Sequence, residues 1–368
     1  MIKPEKLKQG DKVAIISLSR GLLGEPFMAH QKLLIEKRLA YFGLEVVYTP
    51  NSLKGMDFIS ENPNCRADDL KWAFADESIN GIICAIGGND TYKTVPYLLE
   101  DDEFIELVRN NPKVFIGFSD STINHLMFSK IGLSTYYGHS AIVDFGELAS
   151  EMLPYSKMWF EKLFSDESGI EIESSPVWYL ERTSFGESEL GRDRITKKED
   201  RGYEVLSGEG TITGELFGGC LQSLSDLLTG DGHSDEKEIN TRYGLIPLAE
   251  GLKNKILFIE TSEEMAEPEK LTHYLLALDN HGAFSAIKGV LIGKPQNEVF
   301  YDEYKKLYTD IIGKYNKPVL YNMNFGHAHP RCILPYGASV TVNCDSKTVT
   351  LNEQLVKSTG VIKKQKGI

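Results

Sequence analysis

The sequence predicts an α/β protein whose first part is a parallel-sheet domain and whose second part is mixed and β-rich. Three observations carry this expectation. Short apolar runs alternate with segments of helical periodicity through about residue 150. The regularity fades, and residues 181–204 are polar, charged and punctuated by glycine. A second series of strands and helices starts near residue 210 and ends in an alternating pattern. With 368 residues the chain is long enough for two domains and a substantial core.

Each element follows from its local pattern. "KVAIIS" (12–17) is a short apolar run, read as the first strand. In "EPFMAHQKLLIEKRLAYFG" (25–43), Leu33, Leu34, Ala40 and Tyr41 recur near helical spacing, and Gly43 can close the helix. "LEVVY" (44–48) is a strand. "CRADDLKWAFAD" (65–76) is a helix with Leu70, Ala73 and Phe74 on one side. "INGIICAIGG" (79–88) is a strand ending in two glycines, "YKTVPYLL" is helical, and "KVFIGF" (113–118) is again a strand. "INHLMFSKIG" follows it as a helix. This alternation predicts a Rossmann/flavodoxin-like parallel sheet covered on both faces, with ligands at the carboxyl ends of its strands.

In the second series, "GTITGELFGG" (210–219) is followed by the helix "CLQSLSDLL" and the strand "KILFIE" (255–260). "EPEKLTHYLLALDNHG" (267–282) is a helix, with Pro268 in its first turn and Gly282 near its end. "IKGVLIG" (287–293) and "PVLYN" (318–322) are strands. "ASVTVNCDSKTVTLN" reads as a hairpin turning at Asp345-Ser346. The expected division is 1–160 for the first domain, 161–209 for a linker or specificity segment, and 210–368 for the second domain.

Composition narrows the function. A formal net charge of −13 argues against nucleic acid as the main partner. Five widely spaced cysteines without a CxxC argue against a disulfide framework or a zinc ribbon. There is no signal-peptide h-region and no apolar run of membrane-spanning length, so a cytoplasmic location without membrane attachment is expected.

The chemistry-bearing residues lie where strands end. Ser119 stands between the strand "KVFIGF" and the helix that follows. It reads either as a helix N-cap or as a nucleophile raised over the sheet on a sharp turn. Gly117 lies two before it, but Ser121 replaces the second glycine of G-x-S-x-G. A nucleophilic serine needs a base and the base an orienting acid. His327 lies in the Gly/Pro-bounded loop "NMNFGHAHPRCILPYG" (322–337). Its alternatives are an ordinary loop histidine or a metal ligand paired with His329. Glu260 ends an apolar strand, where a carboxylate is costly unless paired. It is either the orienting acid or a water-facing strand end. Gly87 and Gly88 end the preceding strand. They read as a place where backbone N–H groups approach a substrate, with Asp120 N–H as a second donor, or as a phosphate turn. Arg331, beside the histidine loop, is a candidate partner for a substrate carboxylate or a solvated arginine.

Taken in order, "GDKVAII", "RADDLKWAFADESINGIICAIGG", "IGFSDST", "GELFGG", "ILFIE" and "FGHAHPRCILPYG" resemble the serine peptidase family of LD-carboxypeptidases and the microcin C self-immunity protein. The pieces run along nearly the whole chain. The resemblance implies a two-domain hydrolase with a Ser-Glu-His triad at Ser119, Glu260 and His327, and oxyanion donors at Gly88 and Asp120. "IGGND" and "GHAHP" look like the microcin-immunity branch. The cell-wall carboxypeptidases tend to have arginine before the glycine pair and tyrosine after it, where this chain has Ile86 and Asn89. The tryptophan that stacks on an adenine-like group in the immunity protein has its nearest counterpart in Phe185, with Trp178 as the other aromatic candidate. The family's "GGN" reads Gly218-Gly219-Cys220 here.

The resemblance implies an enzyme without cofactor or metal, acting on a small peptide-like or aminoacyl-nucleotide substrate. Homodimers are common in the family. The expected activity is cleavage of an amide near the C-terminus of a microcin-type peptidyl- or aminoacyl-nucleotide. The alternative is removal of D-Ala from muropeptide tetrapeptides in cell-wall recycling. Gly87, Asn89, Trp178, Phe185, His329 and Arg331 are the expected substrate contacts. From another class, a non-catalytic nucleotide or peptide binder would use "IGGND" as an anion cradle.

Overall fold

The computed structural model describes residues 1–357. Two sheets carry the chain. In the first, spatial order runs Leu334–Pro335, Tyr136–Tyr137, Val114–Gly117, Ile79–Cys84, Lys12–Ile16, Glu45–Tyr48. The five strands from the first half of the chain are parallel to one another. Numbered along the chain their order is 2-1-3-4-5, the flavodoxin-like doubly wound arrangement. Val13 to Ile16 are fully buried, as are Phe115 and Ile116. Such continuous apolar runs suit strands covered on both faces.

The second sheet has eight strands. In spatial order they are Ile170–Glu171, Thr348–Leu351, Ser339–Asn343, Thr211–Cys220, Lys255–Glu260, Gly289–Gly293, Val319–Met323 and Glu204–Ser207. The four from Thr211–Cys220 to Val319–Met323 are parallel. Antiparallel strands flank them on both sides. The terminal hairpin pairs Ser339–Asn343 with Thr348–Leu351, turning over the expected Asp345-Ser346. Of the expected 210–368 unit, residues beyond 357 lie outside the described residues.

Chain order and sheet membership do not coincide. Leu334–Pro335 crosses back to pair antiparallel with Tyr136–Tyr137 in the first sheet. The segment 161–209 supplies both edge strands of the second sheet, and it also forms a separate two-stranded ribbon, Val177–Tyr179 with Thr196–Lys198. The helix Thr122–Ile131 is buried on nearly all sides, which explains why its sequence is apolar all round. Its His125 ring lies 3.0 Å from Gly117 O and 2.8 Å from Thr135 Oγ1, and stacks on Tyr336. Burial holds this histidine down to about 3, a neutral structural group.

One helix face differs from expectation. In the helix Ala29–Tyr41, Leu33 and Tyr41 are exposed, and the buried residues are Gln31, Ile35, Arg38 and Leu39. The helix packs against the π-helical turn Ala141–Phe145 and the loop that follows it. Arg38 donates to the carbonyls of Phe145, Glu147 and Ala149, and Gln31 to that of Gly146. Polar side chains that satisfy buried carbonyls thus displace the apolar ones from the inner face. No described helix is long and apolar enough to cross a membrane.

Candidate active site

Three strand ends converge. Ser119 follows Val114–Gly117, Glu260 ends Lys255–Glu260, and His327 lies four residues beyond Val319–Met323. His327 Nε2 is 3.1 Å from Ser119 Oγ, and His327 Nδ1 is 2.8 Å from Glu260 Oε2. The Ser119 hydroxyl therefore meets an imidazole. The first full helix after it begins at Thr122 and has no side-chain cap. Ser119 itself has φ +63°, unusual for a residue with a Cβ. The turn that imposes it is held by Ser119 N–H donating to Tyr137 Oη at 3.1 Å. Tyr137 in turn donates to Glu260 Oε1 at 2.6 Å. One tyrosine thus ties the serine backbone to the acid.

Glu260 is 1% exposed, and its oxygens accept from Tyr137 Oη, His327 N–H and His327 Nδ1. These bonds offset the cost of burying its charge. The carboxylate needs a close backbone turn beside it. A methyl group on Gly326 would fall 2.5 Å from Glu260 Cδ, and Gly326 has φ +87°. Burial alone would lower the His327 pKa, but Glu260 and Glu263 outweigh it and raise it to about 9. Glu263 Oε2 is 2.9 Å from His327 Nε2, the same nitrogen that faces the serine.

The glycine loop is clamped beside Ser119. Arg20 N–H donates to Gly87 O, and Ser19 Oγ accepts from the N–H groups of Asn89 and Asp90. Buried Arg66 pairs with Asp90 at 2.7 Å. The Asp120 carboxylate accepts from Asp90 N–H and Thr91 N–H at 3.1 and 3.0 Å, so the residue after the serine also anchors the loop. A methyl on Gly87 would lie 3.0 Å from Ser119 Oγ and 3.3 Å from Asp120 N. Gly87→Ala is therefore expected to displace Ser119 or close the space above it. Turnover should fall at least about tenfold, on the scale of a misplaced reacting group, and the urea midpoint should fall as well, because the methyl would also meet Ser119 Cβ at 2.8 Å. Steady-state rates and a urea midpoint measured on the same preparation check both halves.

The site opens into a cavity of about 790 Å³. Leu22, Phe27, Val143, Leu148 and Phe185 form an apolar wall. Phe185 is 48% exposed at the mouth, and its carbonyl oxygen is 3.0 Å from His30 Nε2. On the polar side of the cavity, Arg194 pairs with both Glu147 and Glu181, and Arg182 pairs with Glu147.

Of the expected site residues, the structure brings Ser119, Glu260 and His327 together, and places Gly87, Gly88, Phe185 and Arg331 on the cavity wall. Asp120 lies just behind them, 3% exposed. Asn89, Trp178 and His329 lie off the cavity wall. Trp178 is buried, with Lys294 over its ring. His329 Nε2 is 3.0 Å from Glu181 Oε2 instead. Burial, reinforced by Arg194 and Arg331, lowers its pKa to about 4. Arg331 stacks on Phe118 and donates to His327 O, so it braces the histidine loop from below. Sequence reasoning missed Tyr137, Glu263 and Arg20. Glu263 had a signal, an acid three residues past a catalytic candidate, on the loop that follows that candidate's strand. Tyr137 had none, because a buried tyrosine in "YY" reads as core.

The comparisons agree with this architecture. The description "LD-carboxypeptidase N-terminal domain" matches residues 13–138, and "LD-carboxypeptidase C-terminal domain" matches residues 213–342. An MccF-like protein from Streptococcus pneumoniae, solved in complex with AMP, is 42% identical with a TM-score of 0.89. That match covers 93% of this chain and 99% of the other. The microcin C7 self-immunity protein MccF of Escherichia coli is 25% identical over 80% of this chain and 79% of its own length. The "Probable murein peptide carboxypeptidase" of Bacillus subtilis is 26% identical over 95% of this chain and 94% of its own. With both domains matched in order on a fold shared almost end to end, the chain belongs to the LD-carboxypeptidase family, which includes the microcin self-immunity proteins.

Proposed function

We propose that this protein is a serine hydrolase that cleaves the amide joining an aminoacyl or peptidyl group to a nucleotide-like leaving group, as an immunity-type detoxifying enzyme of the cytoplasm. The observation that carries the reading is the Ser119–His327–Glu260 relay opening on a cavity with an apolar, aromatic-rimmed wall. About 790 Å³ suits a nucleotide conjugate. Phe185 and Phe27 offer flat rings at the mouth for a base to stack on. The MccF-like relative holding AMP points to the same class.

The chemistry follows from the geometry. Neutral His327 takes the Ser119 proton as Oγ attacks the amide carbonyl carbon. The oxyanion is held by the N–H groups of Gly88 and Asp120, which the clamped loop and the turn after Ser119 fix in advance. Glu260 keeps Nδ1 protonated and stabilises the imidazolium. His327 then gives the proton to the leaving nitrogen, and the C–N bond breaks. Water, deprotonated by His327, attacks the acyl-serine ester and restores Ser119.

The murein peptide relative supports a second reading, removal of D-Ala from a muropeptide tetrapeptide by the same relay. Mass spectrometry separates the two. Wild-type protein and its Ser119→Ala form each receive an aminoacyl-sulfamoyl adenosine and a tetrapeptide ending in D-Ala. Serine-dependent release of the amino acid from the adenosine is the expected result. Serine-dependent release of D-Ala alone would move the protein to cell-wall recycling. Cleavage of neither would sink the hydrolase reading for both substrate classes.

A further inference from the structure

We infer that Glu263 is the recognition carboxylate for a cationic group on the acyl side of the substrate, so that the cavity selects conjugates bearing an ammonium or guanidinium next to the scissile carbonyl. The inference rests on the hydrolase reading above for where the scissile bond lies. Its first support is position. Glu263 Oε2 and Ser119 Oγ lie within 2.9 and 3.1 Å of one nitrogen, His327 Nε2. The carboxylate therefore stands beside the reacting atoms. In an aminoacyl substrate the α-ammonium is two bonds from the attacked carbon, within reach of an oxygen so placed.

The second support is charge. Three acids line the cavity, Glu147, Glu181 and Glu263. Glu147 is clasped by Arg182 and Arg194, and Glu181 by Arg194 and His329. Glu263 has no arginine or lysine within ion-pair distance among the described residues; its close contact is the catalytic imidazole itself, and Arg20, which also lines the cavity, acts on it only from longer range. The hydrogen bond from His327, ahead of an opposing burial effect, holds its carboxyl down to about 2, so it is charged throughout the working range. The third support is freedom to move. The side chain is 65% exposed, on the loop that follows the strand Lys255–Glu260.

Without substrate the carboxylate takes the imidazole nitrogen that Ser119 needs. An entering cation gives Glu263 a better partner, and His327 Nε2 turns to the serine alone. An acyl group carrying a carboxylate in that place would meet repulsion from Glu263 and leave the competing contact intact.

The test is calorimetric binding to Ser119→Ala, which reads affinity without turnover, and to Ser119→Ala/Glu263→Gln. The probes are the leucyl, N-acetyl-leucyl, N-acetyl-lysyl and N-acetyl-glutamyl conjugates of sulfamoyl adenosine. A charge-assisted hydrogen bond corresponds to about 10- to 100-fold in affinity. If the α-ammonium is the group recognised, leucyl outbinds N-acetyl-leucyl by that factor. If it is a basic side chain, N-acetyl-lysyl outbinds N-acetyl-leucyl. In either case Glu263→Gln erases the preference, and Glu263→Lys turns it toward the N-acetyl-glutamyl probe. A preference that survives Glu263→Gln, or none in its presence, overturns the inference. Wild-type cleavage without Glu263 dependence would leave the hydrolase reading standing and remove this one. Glu263-dependent binding without cleavage by the wild type would do the reverse. No detectable binding of any probe overturns this inference, while serine-dependent cleavage by the wild type decides the hydrolase reading separately.

Discussion

Ser119→Ala lowers kcat/KM by about 10⁴- to 10⁶-fold, on the scale of losing a serine nucleophile from an intact relay, and leaves the fold in place. The hydroxyl is the atom His327 Nε2 faces at 3.1 Å, and it is the group that would attack the carbonyl. The fold survives because the turn is held by backbone. Ser119 N–H still reaches Tyr137 Oη, and the Asp120 carboxylate still anchors the glycine loop. Alanine keeps the Cβ at φ +63°, so it keeps the strain. Ser119→Gly removes it and is expected to be as inactive as Ser119→Ala but more stable by about 1 kcal/mol. Urea midpoints of the two variants read the difference, and mass spectrometry of the aminoacyl-sulfamoyl adenosine reads the rates. Ser119→Ala with more than a tenth of wild-type turnover would remove the nucleophile assignment. Ser119→Gly no more stable than Ser119→Ala would show that the turn stores no strain at this residue.

Why was the relay legible when much around it was not? Ser119 and Glu260 each interrupt an apolar run at its carboxyl end, the place where a doubly wound sheet presents ligands. A polar residue there breaks the local pattern and calls for a partner. Tyr137 breaks no pattern. It is apolar enough for a buried strand, and only the fold shows that its hydroxyl sits between Ser119 N–H and Glu260. The helix Ala29–Tyr41 misled for the opposite reason. Periodicity assigns apolar residues to the inside, but this helix packs on bare carbonyls, which need the donors of Arg38 and Gln31. Pattern reading also passed over Ile170–Glu171 and Glu204–Ser207. Strands of two to four residues at a sheet edge are too short to show alternation, and their pairing partners lie more than a hundred residues away in sequence.

Glu260→Gln is expected to cost about 10⁴-fold in kcat, the scale seen when a triad carboxylate becomes an amide, and to move the pH profile as well. The amide cannot meet the demands that the carboxylate meets. Tyr137 Oη, His327 N–H and His327 Nδ1–H all donate toward Glu260. A glutamine side chain in its place would offer one oxygen and an NH₂ group. If the NH₂ faces Nδ1, it selects the tautomer with the proton on Nε2, which cannot accept from Ser119. If it faces Tyr137, the tyrosine loses the acceptor for its own hydroxyl hydrogen while still accepting from Ser119 N–H. The pH effect has a definite sign. His327 must be neutral to act as base, and against the pull of burial its two carboxylate neighbours raise its pKa to about 9. Wild-type kcat/KM should therefore climb with pH through the neutral range toward about 9. Removing the Glu260 charge removes the larger of those raising influences, so the residual activity of Glu260→Gln reaches its plateau at lower pH. Glu263→Gln should move the same limb in the same direction without the large loss in kcat, because it leaves Nδ1 and its tautomer alone. Rate profiles from about pH 5 to 10 on the three proteins decide the matter. An acid limb that stays put in Glu260→Gln would mean that the ionisation it reports belongs to another group, and His327 would lose its role as the base.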